Sequence, residues 1–392
     1  MIAQPSEIAR SAVAAHRQRE GFEATQTVRA AGLDVVARIR QHAPHRLTVA
    51  YSEYRSPFLD LDEALTGNPE FTGEDLVGLS FITDGKNTWI HDPGKAVAWL
   101  KPHRWIADPL PGGACVGELD FLDTLTKDFL FRDAGPAIVS GRAVRQLGIK
   151  PKHAISSNLV RTTRFTIRRG EIAFDEETYF PLRITLHPIA DSPLYAVCGP
   201  DRPLVVEYAN VRIQPPDPAL FDFAPPDGTR IFRETDRPLD DACDQAPFPI
   251  RTDALLDAGF APLPGGVRLT LEDEAQRGYL TALLIRPGED GVDAMLTLRA
   301  GNFLSRNMGR RRATIADHAE SLTIGDATGR LLDRSDAWSQ HLPNTESVPA
   351  HFELAWADGD VYWFLAAEGI DRNELLVLGE RLLHASGRDD VS

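Results

Sequence analysis

From Phe22 to Ile213, apolar and polar residues alternate in short runs, and Gly, Pro and Asp-Gly turn signals separate the runs. Phe22, Ala24 and Val28 alternate with polar neighbours. So do Val35, Ala37 and Ile39, and then Leu47, Val49 and Tyr51. Alternation puts successive side chains on opposite faces, so these runs predict antiparallel strands with one buried face. Further runs of this type begin at Leu79 and cover Asn87–His91, Arg142–Ile149, Leu159–Arg168, Glu171–Asp175, Leu182–Leu186 and Leu204–Ile213. Asp84-Gly85 and Asp92-Pro93-Gly94 mark tight turns, and Pro215-Pro216 stops the last strand.

Two segments in this half read as helices. Ser6 caps a helix over Glu7–Arg19, ended by Gly21. Leu119, Leu122, Leu125 and Phe129 have helical spacing, so Leu119–Phe131 is expected as a helix crossing the open side of a sheet. The acidic stretch Pro57–Asp75, with Gly67, Pro69 and Gly73, reads as an inserted loop. Asp236–Pro249 holds three prolines and reads as a linker. Beyond it a short helix (Thr252–Ala258), several strands with an Asp358-Gly359 turn, and a closing helix (Asp371–His384) predict a smaller second module. The expected fold class is α+β, in two domains: residues 1–235, a linker over 236–250, and residues 251–392.

The 392 residues carry a formal net charge of −15, which disfavours non-specific binding to nucleic acid or to anionic membrane surfaces. No stretch approaches the ~20 apolar residues of a transmembrane helix. The first residues lack the basic start and apolar middle of a signal peptide, so the sequence as written reads as cytoplasmic. Cys115, Cys198 and Cys243 show no zinc-ligand spacing and read as inert thiols in a reducing compartment.

Catalytic constellations are scarce. His42 and His45 flank Pro44 in a turn without further metal ligands nearby. His103 with Asp108 reads as a surface loop before Pro109. Glu176-Glu177 are adjacent, so on a strand they would face opposite sides; they read as a solvated turn. There is no phosphate-binding glycine loop, nucleophile elbow or zinc-protease motif. Two basic runs, Arg161, Arg164, Arg168 and Arg169, and Arg310-Arg311-Arg312, read first as solvated faces, although phosphate or an acidic peptide would suit them.

The order of phrases carries a resemblance. Phe22-x-Ala-x-Gln follows the lead helix, and Arg46-Leu47-Thr48-Val49 follows that. Next come Thr83-Asp84-Gly85-Lys86-Asn87-Thr88-Trp89-Ile90, with Asp92-Pro93, and then Gly141–Leu147 with Pro151-Lys152. Asp175-Glu176-Glu177-Thr178 precedes Pro181-Leu182-Arg183, and Asn210–Ile213 leads to Phe221-Asp222-Phe223 and Pro225-Pro226. Over about Glu7–Phe232 this set resembles the LolA/RseB superfamily, and the second module resembles those found behind LolA-like sensor domains. The resemblance implies a strongly curved antiparallel half-barrel plugged by helices, holding a lipid or acyl chain, with a regulatory protein partner. It also implies an extracytoplasmic site of action, should the true start lie elsewhere.

Such a sheet cannot close on itself, so helices or a ligand must fill its apolar side. The candidate lining residues are Val35, Ile39, Val49, Tyr51, Phe81, Trp89, Trp99, Phe165, Ile167 and Tyr208. The leading expectation is a non-enzymatic sensor or carrier of an apolar ligand, without cofactor or metal. A ligand-free protein-interaction module is the alternative. A hydrolase using Cys115, or His103 with Asp108, is the third.

Overall fold

The computed structural model describes residues 4–30, 33–42, 45–55, 77–102, 122, 125–152, 167–188, 203–250, 252–274, 276–289, 291–302, 319–333 and 351–386. The chain divides into two compact units. One comprises Met1–Ala98 and Pro102–Thr229, the other Trp99–Lys101 and Arg230–Ser392.

Helix α1 (Pro5–Gln18) opens the first unit. Pro5 needs no amide partner in the first turn, and the Gln4 amide donates to Glu7 Oε2 at 2.9 Å, as in a capping box. Its buried residues Ile8, Ala9, Ala12 and Val13 recur at helical spacing and form one stripe.

Eleven strands follow: β1 (Gly21–Ala30), β2 (Leu33–His42), β3 (Arg46–Arg55), β4 (Ser80–Thr83), β5 (Asn87–Asp92), β6 (Val97–Pro102), β7 (Phe129–Val139), β8 (Arg142–Pro151), β9 (Ile167–Asp175), β10 (Pro181–Pro188) and β11 (Leu204–Arg212). Antiparallel ladders join ten of these strands in the order β7-β8-β9-β10-β11-β1-β2-β3-β4-β5, while the middle of β6, Trp99–Lys101, counts with the second unit. This is an open run of sequential hairpins in which the first strand pairs with the last. Bulges interrupt β1 near Glu23, β2 near Val36 and β7 near Asp133, and each bends its strand locally.

The turns are built as their sequences dictate. Asp84 Oδ1 accepts the Lys86 and Asn87 amides, both at 2.7 Å, and Gly85 takes a φ of +92° that a side chain would strain. Those hydrogen bonds outweigh the opposing cost of desolvation and hold the Asp84 carboxyl below its usual range. At the β9–β10 turn, buried Asp175 accepts from the Thr178 amide at 2.8 Å and its hydroxyl at 2.7 Å, and pairs with Arg142 Nε at 2.8 Å. Glu176 and Glu177 are exposed in that turn, and no shared acid/base geometry arises.

The helix expected over Leu119–Phe131 is reduced among the described residues to one turn, α2 (Leu125–Asp128), and a strand starts at Phe129. From there Phe129, Leu130, Phe131 and Arg132 pair residue by residue with Pro151 to Gly148. The helical spacing of Leu125 and Phe129 is real but spans a helix–strand junction. Helix α1 packs against α2 and β7.

The second unit is built on a further run of antiparallel strands. Its strands are β12 (Arg230–Asp236), β13 (Ala261–Glu272), β14 (Gly278–Gly288), β15 (Gly291–Gly301), β16 (Glu320–Ile324), β17 (Ala327–Asp333), β18 (His351–Asp358) and β19 (Val361–Glu368). They pair in the order β12-β13-β14-β15-β19-β18-β17-β16. Helices α3 (Leu239–Gln245), α4 (Asp253–Asp257) and α5 (Arg372–Ser386) complete it, with α5 packed on β16, β18 and α4.

Residues 236–250, expected as a linker, instead contribute Leu239, Ala242, Phe248 and Ile250 to this unit's hydrophobic core. The prolines there frame α3 rather than a free tether: Pro238 is its N-cap residue. Strands β16 and β17 were not expected from the sequence; Gly329 in β17 leaves room for Ile324 from β16. The Pro57–Asp75 insertion lies outside the described residues, apart from which β3 ends at Arg55.

Candidate functional site

The cross-strand register of the first unit collects one apolar face. Ala24 lies opposite Ile39, Val28 opposite Val35, Ile39 opposite Val49, and Val49 opposite Phe81. On the other side of β1, Val28 lies opposite Val206 and Gln26 opposite Tyr208. Four strands, β2, β3, β4 and β11, therefore put Val35, Ile39, Val49, Tyr51, Phe81 and Tyr208 on a shared buried surface. Tyr51 and Phe81 meet edge to face with ring centroids 5.7 Å apart.

The other expected lining residues fall elsewhere. Trp89 pairs with Ile82, out of phase with buried Ile90, and so stands on the opposite face, edge-on to Phe223 at 5.5 Å. His91 shares that face and meets the same ring at 5.1 Å. Trp99 belongs to the second unit, where it stacks on Phe232 with centroids 5.8 Å apart. Phe165 lies outside the described residues, and Ile167 is described only by its backbone place in β9.

The buried face has a polar end that the list of apolar candidates did not include. Gln26 Nε2 donates to the Tyr208 hydroxyl at 2.9 Å. Phe180 meets Tyr208 edge to face at 5.3 Å and Phe22 at 5.1 Å. The Arg19 guanidinium lies 4.8 Å from the centre of the Phe180 ring. Burial there lowers the Arg19 pKa to about 10, although nearby Tyr208 counteracts the shift. Gln26 was visible in the sequence as a polar residue in the apolar phase of β1. Arg19, beyond the end of α1, carried no comparable signal.

On the reverse face, β7 to β10 form a groove of about 350 Å³ lined by Leu130, Arg132, Gly148, Lys150, Arg169, Glu171 and His187, among others. Of the first basic run, Arg169 lines this groove and Arg168 is exposed beside it in β9; Arg161, Arg164 and the triplet Arg310–Arg312 lie outside the described residues.

No group of three or more His, Cys, Asp or Glu suited to a metal exists among the described residues. Cys243 is a half-buried thiol whose pKa burial raises to about 11, so it stays protonated at neutral pH. Cys115, Cys198, His103 and Asp108 lie outside the described residues. His42 packs edge-on to Phe221 at 6.1 Å. Among the described residues no helix is long and apolar enough to cross a membrane.

No family model matches the chain, and no curated protein matches it. Solved structures do. The MucA/MucB complex of Pseudomonas aeruginosa is matched at 10% identity and a TM-score of 0.35, over 97% of this chain and 97% of that one. The lipoprotein LppX of Mycobacterium tuberculosis matches at 9% identity and a TM-score of 0.33, over 55% of this chain and 97% of that one. A LolA superfamily protein of Nitrosomonas europaea matches at 9% identity and a TM-score of 0.26, over 57% and 99% of the two chains. At these scores the chain has a loose likeness of fold to MucB, LppX and LolA-superfamily structures.

Proposed function

We propose that this chain is a non-enzymatic binding protein whose first unit takes an acyl chain or similar apolar ligand against the face of Val35, Ile39, Val49, Tyr51, Phe81 and Tyr208. The observation that carries the reading is that one open sheet gathers these apolar and aromatic side chains on a single surface. Each buried methylene is worth about 0.8 kcal/mol, so a chain of about twelve would bring about 10 kcal/mol to the displacement of whatever covers that face. The half-barrel plugged by helices belongs to this proposal: α1 and α2 would be the movable cover. The resemblance in sequence supports a regulatory protein partner and an extracytoplasmic site of action. A partner equilibrium would shift only if the partner distinguishes the filled from the empty state.

A second reading has an observation of its own. Ile39 and Tyr208 are 0% exposed, covered entirely by the protein's own atoms, as a self-filled interaction module requires. Native mass spectrometry on protein purified gently from its own host separates the two. A co-purifying acyl species, with a thermal stabilisation that grows with chain length across a fatty-acid series, is expected. A clean mass together with no stabilisation by any chain length would establish the self-filled module instead.

A further inference from the structure

The groove over β7–β10 lies on the face opposite the apolar one. Its side chains form two cross-strand rows. Leu130 pairs with Lys150, and Arg169 pairs with His187, so one row runs Leu130, Lys150, Arg169, His187. In the other, Arg132 pairs with Gly148, Gly148 with Glu171, and Glu171 with Thr185. Gly148 leaves a notch in the second row: a Cβ there would sit 3.2 Å from Arg132 Nε.

Elsewhere on this sheet arginines have acidic partners: Arg142 pairs with Asp175, Arg145 with Asp133, Arg183 with Glu207 and Arg38 with Glu23. Among the described residues, Arg132, Lys150, Arg168 and Arg169 have none. Like charges side by side on a sheet are destabilising unless an anion neutralises them. A chain of net charge −15 thus carries three cations around one notch, Arg132, Lys150 and Arg169, that have no acidic partner among the described residues.

We propose that this groove is a binding site for a phosphate ester, held by Arg132, Lys150 and Arg169 over the notch at Gly148. Guanidinium forks donate two hydrogen bonds to one phosphate, and an ammonium adds a point charge. A volume of about 350 Å³ fits a headgroup-sized ligand rather than an extended peptide. Leu130, 55% exposed at the rim, supplies an apolar shoulder for the ester's carbon skeleton. His187 lines the groove, where desolvation and neighbouring Arg169 lower its pKa, and its ring nitrogens can hydrogen-bond a hydroxyl of the ester. Among the described residues Glu171 is the one carboxylate lining the groove, and it sets a like-charge barrier on that side. The site is separate from the apolar face, so the two proposals stand or fall apart.

The test is isothermal titration of the full chain at low salt with inorganic phosphate, glycerol 3-phosphate and a short-chain phosphatidylglycerol below its micelle concentration. Saturable binding of glycerol 3-phosphate is expected, weakened about tenfold or more for each of Arg132→Gln and Arg169→Gln. Gly148→Val keeps every charge but fills the notch, and is expected to abolish binding; Arg10→Gln, at an exposed position of α1, is the control and should change nothing. Binding of the phosphatidylglycerol but not of glycerol 3-phosphate, lost in the same variants, would assign the ester to a lipid headgroup. Binding of inorganic phosphate alone, no saturable binding, preference for a poly-glutamate peptide, or indifference to these variants would each overturn the site.

Discussion

Gln26 and Tyr208 face each other across β1 and β11, and the Gln26 amide donates to the Tyr208 hydroxyl at 2.9 Å within an otherwise apolar surface. The pair fixes the register between the first and last strands of the sequential hairpins, since a slip of one residue would turn both polar groups to the other face.

Removing one partner of a buried hydrogen bond is costlier than removing both. Tyr208→Phe is therefore expected to destabilise the first unit by about 1–3 kcal/mol, because the Gln26 amide loses its phenolic acceptor while remaining buried. Gln26→Leu combined with Tyr208→Phe should recover most of that loss. Urea denaturation of the two singles and the double gives the coupling energy; strictly additive effects would show that the hydrogen bond contributes nothing to register.

The alternation in the sequence made the strands of the first unit legible, because each one has a single buried face and its phase can be read directly. It placed Val35, Ile39, Val49, Tyr51, Phe81 and Tyr208 on one surface before any pairing was known. Trp89 shows the limit of that reasoning. A large aromatic in this strand suggests a place facing the hollow, yet its neighbour Ile90 holds the buried phase, and Trp89 meets Phe223 from a distant segment instead. Residues 236–250 show another limit: prolines signal an interruption, but only tertiary contact decides whether Leu239 and Phe248 are exposed or packed. The cationic groove was half legible. Arg168-Arg169 stood out as a basic run, whereas Arg132 and Lys150 join it only through the β7–β8–β9 register.

Asp175 is 2% exposed and serves four donors: the Glu177 and Thr178 amides, the Thr178 hydroxyl and Arg142. Asp175→Ala strands Arg142 and opens the β9–β10 turn. A loss of about 1.5–3 kcal/mol is expected, the range for charge-assisted hydrogen bonds, because Arg142 is half-buried and water reaches it once Asp175 is gone. Exposed Glu176→Ala, one residue on, should stay within about 0.5 kcal/mol of the parent. Thermal unfolding followed by circular dichroism compares the two; equal midpoints for both variants would contradict this role for Asp175.

His351 of β18 lies 3.3 Å from Glu368 and 3.9 Å from Glu353. Desolvation lowers the His351 pKa, but hydrogen bonds and charge attraction from Glu353 and Glu368 outweigh it and raise the pKa from 6.5 to about 9. A raised folded-state pKa stabilises fully below the unfolded value and fades as pH climbs through the folded one. Glu368 is shifted down by the hydrogen bond from His351, opposed by its own desolvation, so its share is present above its ordinary pKa of 4.5 and is lost in acid. The stability difference between the parent and His351→Gln is accordingly expected to be greatest near pH 5–6 and to shrink toward pH 10. A difference that is flat from pH 5.5 to 10 in denaturant titrations would rule out the charged pairing.

Trp356 and Trp363 are cross-strand partners in β18 and β19, with ring centroids 5.6 Å apart and planes 2° from parallel. Both are buried, and among the described residues neither indole N–H has an acceptor. Replacing Trp363 by Phe thus removes volume and stacking but no hydrogen bond, and is expected to cost less than Trp363→Ala, for which the loss should be about 3–5 kcal/mol. The two stacked chromophores also predict an exciton-coupled band in the circular dichroism spectrum that disappears in Trp356→Phe and Trp363→Phe alike. Persistence of that band in either variant would assign it to other aromatics and remove the stack as the organising contact of the β18–β19 hairpin.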